Sequence, residues 1–127
     1  MHILFSEVSN LKPIEGFISD RADWLEEKIL SEQKWTTPIV IDNKHGLVMD
    51  GHHRFEVAKR ISLKLVPIIA CSYSEVEVYS LRDDEIVTVD QIIENHLNGI
   101  IYPNKTAKHN FYFHLPENLE VPLERLR

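Results

Sequence analysis

Asp50-Gly51-His52-His53-Arg54 places an acid, a glycine, two imidazoles and a guanidinium within five consecutive residues. Such a run grips an anion when it lies where a strand hands over to a helix. There the first free helical N–H groups, the positive end of the helix dipole, an unhindered glycine and a forked guanidinium converge on one phosphate. Asp50 has two readings at such a junction: a helix cap, worth about 1 kcal/mol, or a ligand of Mg²⁺ beside the phosphates, direct or through water. Zinc is disfavoured, because adjacent histidines on a helix point in different directions and no partner Cys or His occurs at zinc-site spacing.

The flanking residues predict the junction. Residues 46 to 49, Gly-Leu-Val-Met, are short and apolar and follow the turn-prone Asp42-Asn43-Lys44, as expected of a strand ending a hairpin. After the motif, Phe55, Ala58 and Ile61 recur at helical spacing, with Glu56, Lys59 and Arg60 on the other side, so a helix is expected from 52 to 61. Upstream, Ser19 is expected to cap a helix over 19 to 31, with Ala22, Leu25 and Ile29 on one face, ended by Trp35-Thr36-Thr37-Pro38. Downstream, strands are expected at 66 to 70 and 76 to 79. Thr88 and Gln91 form a capping box before a helix with the stripe Val89, Ile92, Ile93 and Leu97, closed by Gly99. Phe111-Tyr112-Phe113 reads as a strand, and 115 to 127, with Pro116 and Pro122, as an extended tail.

Together, Pro38-Ile39-Val40-Ile41-Asp42 and Asp50-Gly51-His52-His53-Arg54 resemble the nucleotide-binding core of the ParB/sulfiredoxin superfamily, whose Gly-x-x-Arg turn grips nucleotide phosphates. Sulfiredoxins need a cysteine at the position of His52, whereas the single cysteine here is Cys71. Three further segments resemble the branch of ADP- or ATP-dependent free L-serine kinases, and the resemblance spans 8 to 113. Leu11-Lys12-Pro13-Ile14-Glu15 is similar to the branch's Leu-Lys-Pro-His-Glu, which implies Glu15 as catalytic base. Val66-Pro67, Tyr73 and the alternating 75 to 79 resemble a strand pair after the phosphate helix. Tyr102-Pro103-Asn104-Lys105-Thr106-Ala107-Lys108-His109 resembles Pro-Pro-Lys-Thr-Thr-Arg-His, implying that Lys105, Thr106, Lys108 and His109 hold the acceptor carboxylate or the transferred phosphate. Lys108 puts an ammonium, which cannot engage a carboxylate bidentately, where the branch has a guanidinium.

The resemblance implies an α+β fold, a small mixed sheet with packed helices, in one domain over 1 to 127. It implies a kinase moving a phosphoryl group from ATP or ADP to the hydroxyl of a free amino acid, with L-serine favoured. Glu15 takes the proton, while Gly51, His52, His53 and Arg54 bind the nucleotide. One of the two histidines hydrogen-bonds phosphate and the other helps position the acceptor, and Mg²⁺ at Asp50 offsets charge. The rival reading is a nucleotide-sensing ParB-like regulatory or DNA-partition module in which Glu15 is dispensable. Of the two tryptophans, Trp35 is the one to consider as an adenine platform, Trp24 reading as core or helix face.

Composition fits a small-ligand protein. The 127 residues are 43% apolar, enough for one core. Lys and Arg number 14 against 20 Asp and Glu, a net charge of −6, which disfavours nonspecific nucleic-acid binding. Cations nevertheless cluster at Arg54, Lys59, Arg60 and Lys64 and again at Lys105 and Lys108, as suits a compact phosphorylated ligand on an acidic body. No run approaches the roughly 20 apolar residues that span a bilayer, and Met1-His2-Ile3-Leu4-Phe5 lacks the basic start of a signal peptide. A cytoplasmic location without membrane contact is therefore expected, and homodimerisation stays open.

Overall fold

The computed structural model describes residues 2 to 127. Its centre is a four-stranded sheet in the order β1-β5-β3-β4, formed by β1 (Leu4–Glu7), β5 (Leu65–Cys71), β3 (Ile39–Asp42) and β4 (Val48–Asp50). β3 and β5 run parallel, Ile39 opposite Ile68, while the two outer pairings are antiparallel. All four residues of β3 are buried, because both faces of the sheet are covered. The strand period of two then splits its side chains. Ile39 and Ile41 join one core with Trp35, Val48, Phe55, Val57, Ile68 and Ile29, beneath α1 (Ser19–Glu32) and α2 (His52–Arg60). Val40 joins the other with Ile14, Leu47, Met49, Ile69, Tyr73 and Ile92, beneath α3 (Val89–Leu97).

The hairpin that delivers the motif is made as its composition predicts. Asp42 accepts the N–H groups of Lys44 and His45 at 3.1 and 2.8 Å, closing the turn with its own carboxylate. Gly46 has φ 71° and lies so close to Asn10 that a Cβ would sit 2.5 Å from that carbonyl oxygen. No residue with a Cβ fits there without a shift of the backbone, and β4 starts at Val48, with Leu47 bridged to Lys12 instead. The segment of Lys12 exploits the gap, donating to Gly46 O and accepting from Val48 N, each at 2.9 Å.

Several expectations are corrected. Ser19 is the first helical residue and not a cap; the N-cap is Ile18, which has no side-chain acceptor to offer. Thr88 does cap α3, accepting Gln91 N–H at 3.0 Å, but Gln91 turns to Asn95 and leaves the box unreciprocated. Of the α3 stripe, Ile92 is buried and Leu97 is 72% exposed. The strand expected at 76 to 79 is β6 (Glu77–Ser80), and it pairs with β7 (Ala107–Asn110) in a separate sheet instead of with β5. Residues 111 to 113 are not a strand: Phe111 and Phe113 pack on each other and on the second core, while Tyr112 is exposed with its ring against Phe113. The tail is not loose. Val121–Pro122 (β8) pairs with Lys34–Trp35 (β2), and a 3₁₀ turn at Leu123–Leu126 buries Leu123 and Leu126 completely against Trp35 and its neighbours. Burial of those two leucines outweighs the extended preference that the prolines impose. Among the described residues no helix is long and apolar enough to cross a membrane.

Candidate functional site

The strand-to-helix junction forms as expected. β4 ends at Asp50, Gly51 turns with φ 105°, and α2 starts at His52. Gly51 presses on β3, where an added Cβ would come within 3.3 Å of Ile39, so backbone conformation and close approach both require glycine. Asp50 provides no cap to α2; it is exposed at the lip of a cavity of about 240 Å³. Around that cavity stand Glu15, Arg21, Asp50, Gly51, His52, His53, Arg54, Lys105, Lys108 and His109, so nearly every residue singled out in the sequence is gathered in one place.

Glu15 is the most constrained of them. Its Oε2 accepts the N–H groups of Thr106 at 2.9 Å and Ala107 at 3.2 Å. Lys105 has a left-handed φ of 54°, which turns the two following N–H groups toward one anion. The main chain around Glu15 is fixed as well: Tyr102 donates to Ile14 O at 2.8 Å and accepts from Gly16 N at 2.9 Å. Burial raises the Glu15 pKa above its ordinary 4.5, a shift the two N–H groups and the nearby Arg82 charge only partly oppose. The result is a carboxylate more basic than usual and held on a single oxygen, as a general base requires.

The two histidines perform differently from expectation. His52 Nε2 accepts the N–H of Ile14 at 3.2 Å, and His53 Nε2 accepts the N–H of Ile18 at 3.0 Å. Both imidazoles thus staple the 14 to 18 segment onto α2, and the latter staple also fixes the entry to α1. His52 is only 8% exposed, and its Nδ1 faces Glu15 Oε1 at 3.8 Å rather than an open anion site. Burial, with His109 and His53 adding to it, pushes its pKa down to about 3, so the ring is neutral. His53, with one ring edge still on the cavity, is also depressed, first by burial and then by Arg21, Arg54 and Lys105.

Arg54 leans over the cavity from the first turn of α2. Burial depresses its pKa while Asp50 and Glu117 act on it through space, and among the described residues no acceptor hydrogen-bonds the guanidinium. Arg21, Lys105 and Lys108 stand around the same opening. Thr106 is corrected: expected to clamp a ligand with its side chain, it is fully buried, with Oγ1 donating to Pro103 O at 2.7 Å, and it contributes its N–H to Glu15 instead. His109 is buried too, its Nε2 3.0 Å from the Tyr73 hydroxyl and its Nδ1 without a partner. Burial and then Lys108 push its pKa down to about 4, leaving a neutral ring at the cavity floor.

Three participants were missed in the sequence. Trp35 is core, 1% exposed with Nε1 donating to Thr37 O, whereas Trp24 is 62% exposed and borders the cavity beside Arg54. Arg21 sits one turn before it. Arg82 holds the 102 to 106 loop through Asn104 O at 2.7 Å and directs its charge at Glu15. Only the one-turn spacing of Arg21 and Trp24 in α1 signalled any of this. Cys71 is buried against Met49, away from the cavity, so cysteine chemistry is ruled out at this site.

A Mg²⁺ ion fits the site in one way. Among the described residues no group of three or more His, Cys, Asp or Glu side chains converges to hold an ion unaided. Mg²⁺ commonly takes one or two carboxylates and completes its shell with water and phosphate oxygens, which the exposed Asp50 beside the phosphate turn allows.

No family model matches the chain. It is 37% identical over 76 residues to an ATP-dependent L-serine kinase of Staphylothermus marinus, a match covering 57% of this chain and 30% of that protein. It is 27% identical over 70 residues to a ParB-like protein of Sulfolobus acidocaldarius, covering 55% of the chain and 35% of the relative. The matched stretch is thus about a third of either relative's length. Among solved structures, a variant of a free serine kinase in complex with ADP superposes with a TM-score of 0.88 at 15% identity, covering all of this chain and 95% of that one. The α+β architecture is therefore the fold of the free serine kinases, as the ParB/sulfiredoxin resemblance implied.

Proposed function

We propose that the protein transfers a phosphoryl group from ATP or ADP to the hydroxyl of a free amino acid, L-serine first among candidates. One observation carries this reading. A half-buried carboxylate of raised basicity, Glu15, shares a cavity with a phosphate-ready helix start and with Arg21, Arg54, Lys105 and Lys108. Phosphoryl transfer asks chiefly for positioning and charge stabilisation, and both are present. The N–H groups of the Gly51 turn and the Arg54 guanidinium receive the phosphates. Lys105 and Lys108 attract the acceptor's carboxylate and the transferred charge as point charges. Glu15 accepts the hydroxyl proton on Oε1, the oxygen that the 106 to 107 turn leaves unclaimed. When bound at Asp50, Mg²⁺ supplies charge neutralisation of the phosphates.

The 37% identity over 76 residues to the S. marinus serine kinase supports the acceptor class, and the partial match to a ParB-like protein keeps a nucleotide-sensing module as the rival. Incubation with Mg²⁺, ATP or ADP and pooled hydroxy amino acids, followed by mass spectrometry, separates them. A phosphorylated amino acid is expected, with serine the main product. Bound nucleotide with no phosphorylated product in any pool would leave the sensing module.

A further inference from the structure

We propose that His52 is the positioning residue of the Glu15 base: a strut that braces the carboxylate against the phosphate helix and fixes which oxygen meets the substrate. This rests on the phosphoryl-transfer reading above. The geometry leaves His52 one arrangement. Because Nε2 accepts the Ile14 N–H at 3.2 Å, the neutral ring must carry its proton on Nδ1. That N–H faces Glu15 Oε1 across 3.8 Å, too far for a hydrogen bond, with the ring standing beside the carboxylate. Oε2 is already taken by Thr106 and Ala107. Glu15 is therefore gripped on one oxygen by a turn 91 residues away and hemmed on the other by the first residue of the phosphate helix.

The same ring is part of a partition. Glu15, Gly16 and His52 line both the phosphate cavity and a second cavity of about 300 Å³, walled by Pro13, Phe17, Phe55 and Ile101. Removing the imidazole would join the two spaces beside Glu15. The ring thus holds the carboxylate in place. His52 touches neither phosphate nor acceptor in this role; it acts through Glu15.

The test uses three variants. His52→Gln can still accept the Ile14 N–H but removes the ring edge that faces Oε1; His52→Asn keeps a polar group on that side but loses the acceptor; His52→Ala loses both. Each should lower kcat, roughly tenfold to hundredfold as expected of a misplaced catalytic group, with nucleotide Kd held within about twofold. In a Glu15→Gln background the His52→Gln change should lower kcat no further, since contacts acting through one group are not additive. Multiplying losses, or nucleotide affinity falling in step with kcat, would overturn the proposal and return His52 to the phosphates. Should His52→Ala fail to fold, the Gln and Asn variants decide. Should the wild-type protein transfer no phosphoryl group, the kinase reading fails separately, and the amide resonances of Thr106 and Ala107 judge the strut. His52→Gln should shift both, and unmoved resonances would refute it.

Discussion

The two ends of the cavity are built in opposite ways. At one end Asp50, Gly51 and Arg54 lie within five residues, and a hairpin and one helix suffice to aim them. At the other, Glu15 depends on N–H groups 91 and 92 residues away, on Tyr102, and on imidazoles 35 to 38 residues from the N–H groups they staple. A local anion site tolerates changes elsewhere in the chain, because the helix dipole and orphan N–H groups come with the helix. An assembled base does not. Its basicity exists only while the whole cage excludes water, so binding and chemistry should separate under mutation.

Glu15→Gln should separate them most. It keeps size and hydrogen bonding, yet removes the base, and turnover should fall by about 10² to 10⁴ while nucleotide affinity by calorimetry hardly moves. In the wild type, rate should fall on acidification as Glu15 protonates through its raised pKa, and that limb should be missing from the variant's residual rate. Loss of rate and affinity together would mean that the two ends are not independent.

Acid stresses the assembled end next. His52 and His109 have folded pKa values near 3 and 4 against an ordinary 6.5, so unfolding favours proton uptake. Their stabilisation is complete above about 6.5 and is lost as pH falls toward the folded values. Between pH 6.5 and 5 each loses roughly 2 kcal/mol at about 1.36 kcal/mol per unit. Glu15 runs the other way, because a raised carboxylate pKa makes the folded state hold its proton more tightly, and it offsets part of the loss near the lower limit. Urea unfolding at pH 7 and pH 5 measures the balance; equal stability at the two would contradict the neutral-histidine cage.

Arg54→Ala strikes the local end. One charge-assisted partner contributes about 1.5 to 3 kcal/mol, so nucleotide Kd should rise about tenfold to hundredfold with the protein still folded. Unchanged affinity would remove the phosphate assignment. Trp24→Ala should have the smallest effect: an exposed ring at the lip that packs on a nucleotide base adds about 0.5 to 1.5 kcal/mol. A fall in affinity below about tenfold, with no change in turnover at saturation, is expected by calorimetry and steady-state kinetics.

Legibility follows the same divide. The Asp50 to Arg54 junction, α1, α2 and the central strands could be read from period and turn chemistry, since each is specified by neighbours in sequence. Glu15 was legible only through its resemblance to a kinase segment; nothing local predicts that residues 106 and 107 reach it. Thr106 was misassigned because a hydroxyl reads as a ligand contact, whereas the functional group is its backbone N–H, which carries no sequence signal. The Nε2 contacts of the histidines were illegible for a related reason: their partners are backbone groups of another segment. From its prolines the tail reads as extended, although Leu123 and Leu126, three apart, fill the core through one 3₁₀ turn.

The central claim is that this cavity phosphorylates a free hydroxy amino acid with Glu15 as base. ³¹P NMR of the protein with Mg²⁺, L-serine and ATP or ADP tests it most directly, with Glu15→Gln run alongside at saturating nucleotide. A phosphomonoester signal growing with the wild type and absent or slowed by at least about a hundredfold with the variant is the predicted result. Nucleotide bound by both proteins, with no phosphomonoester from either, would contradict it.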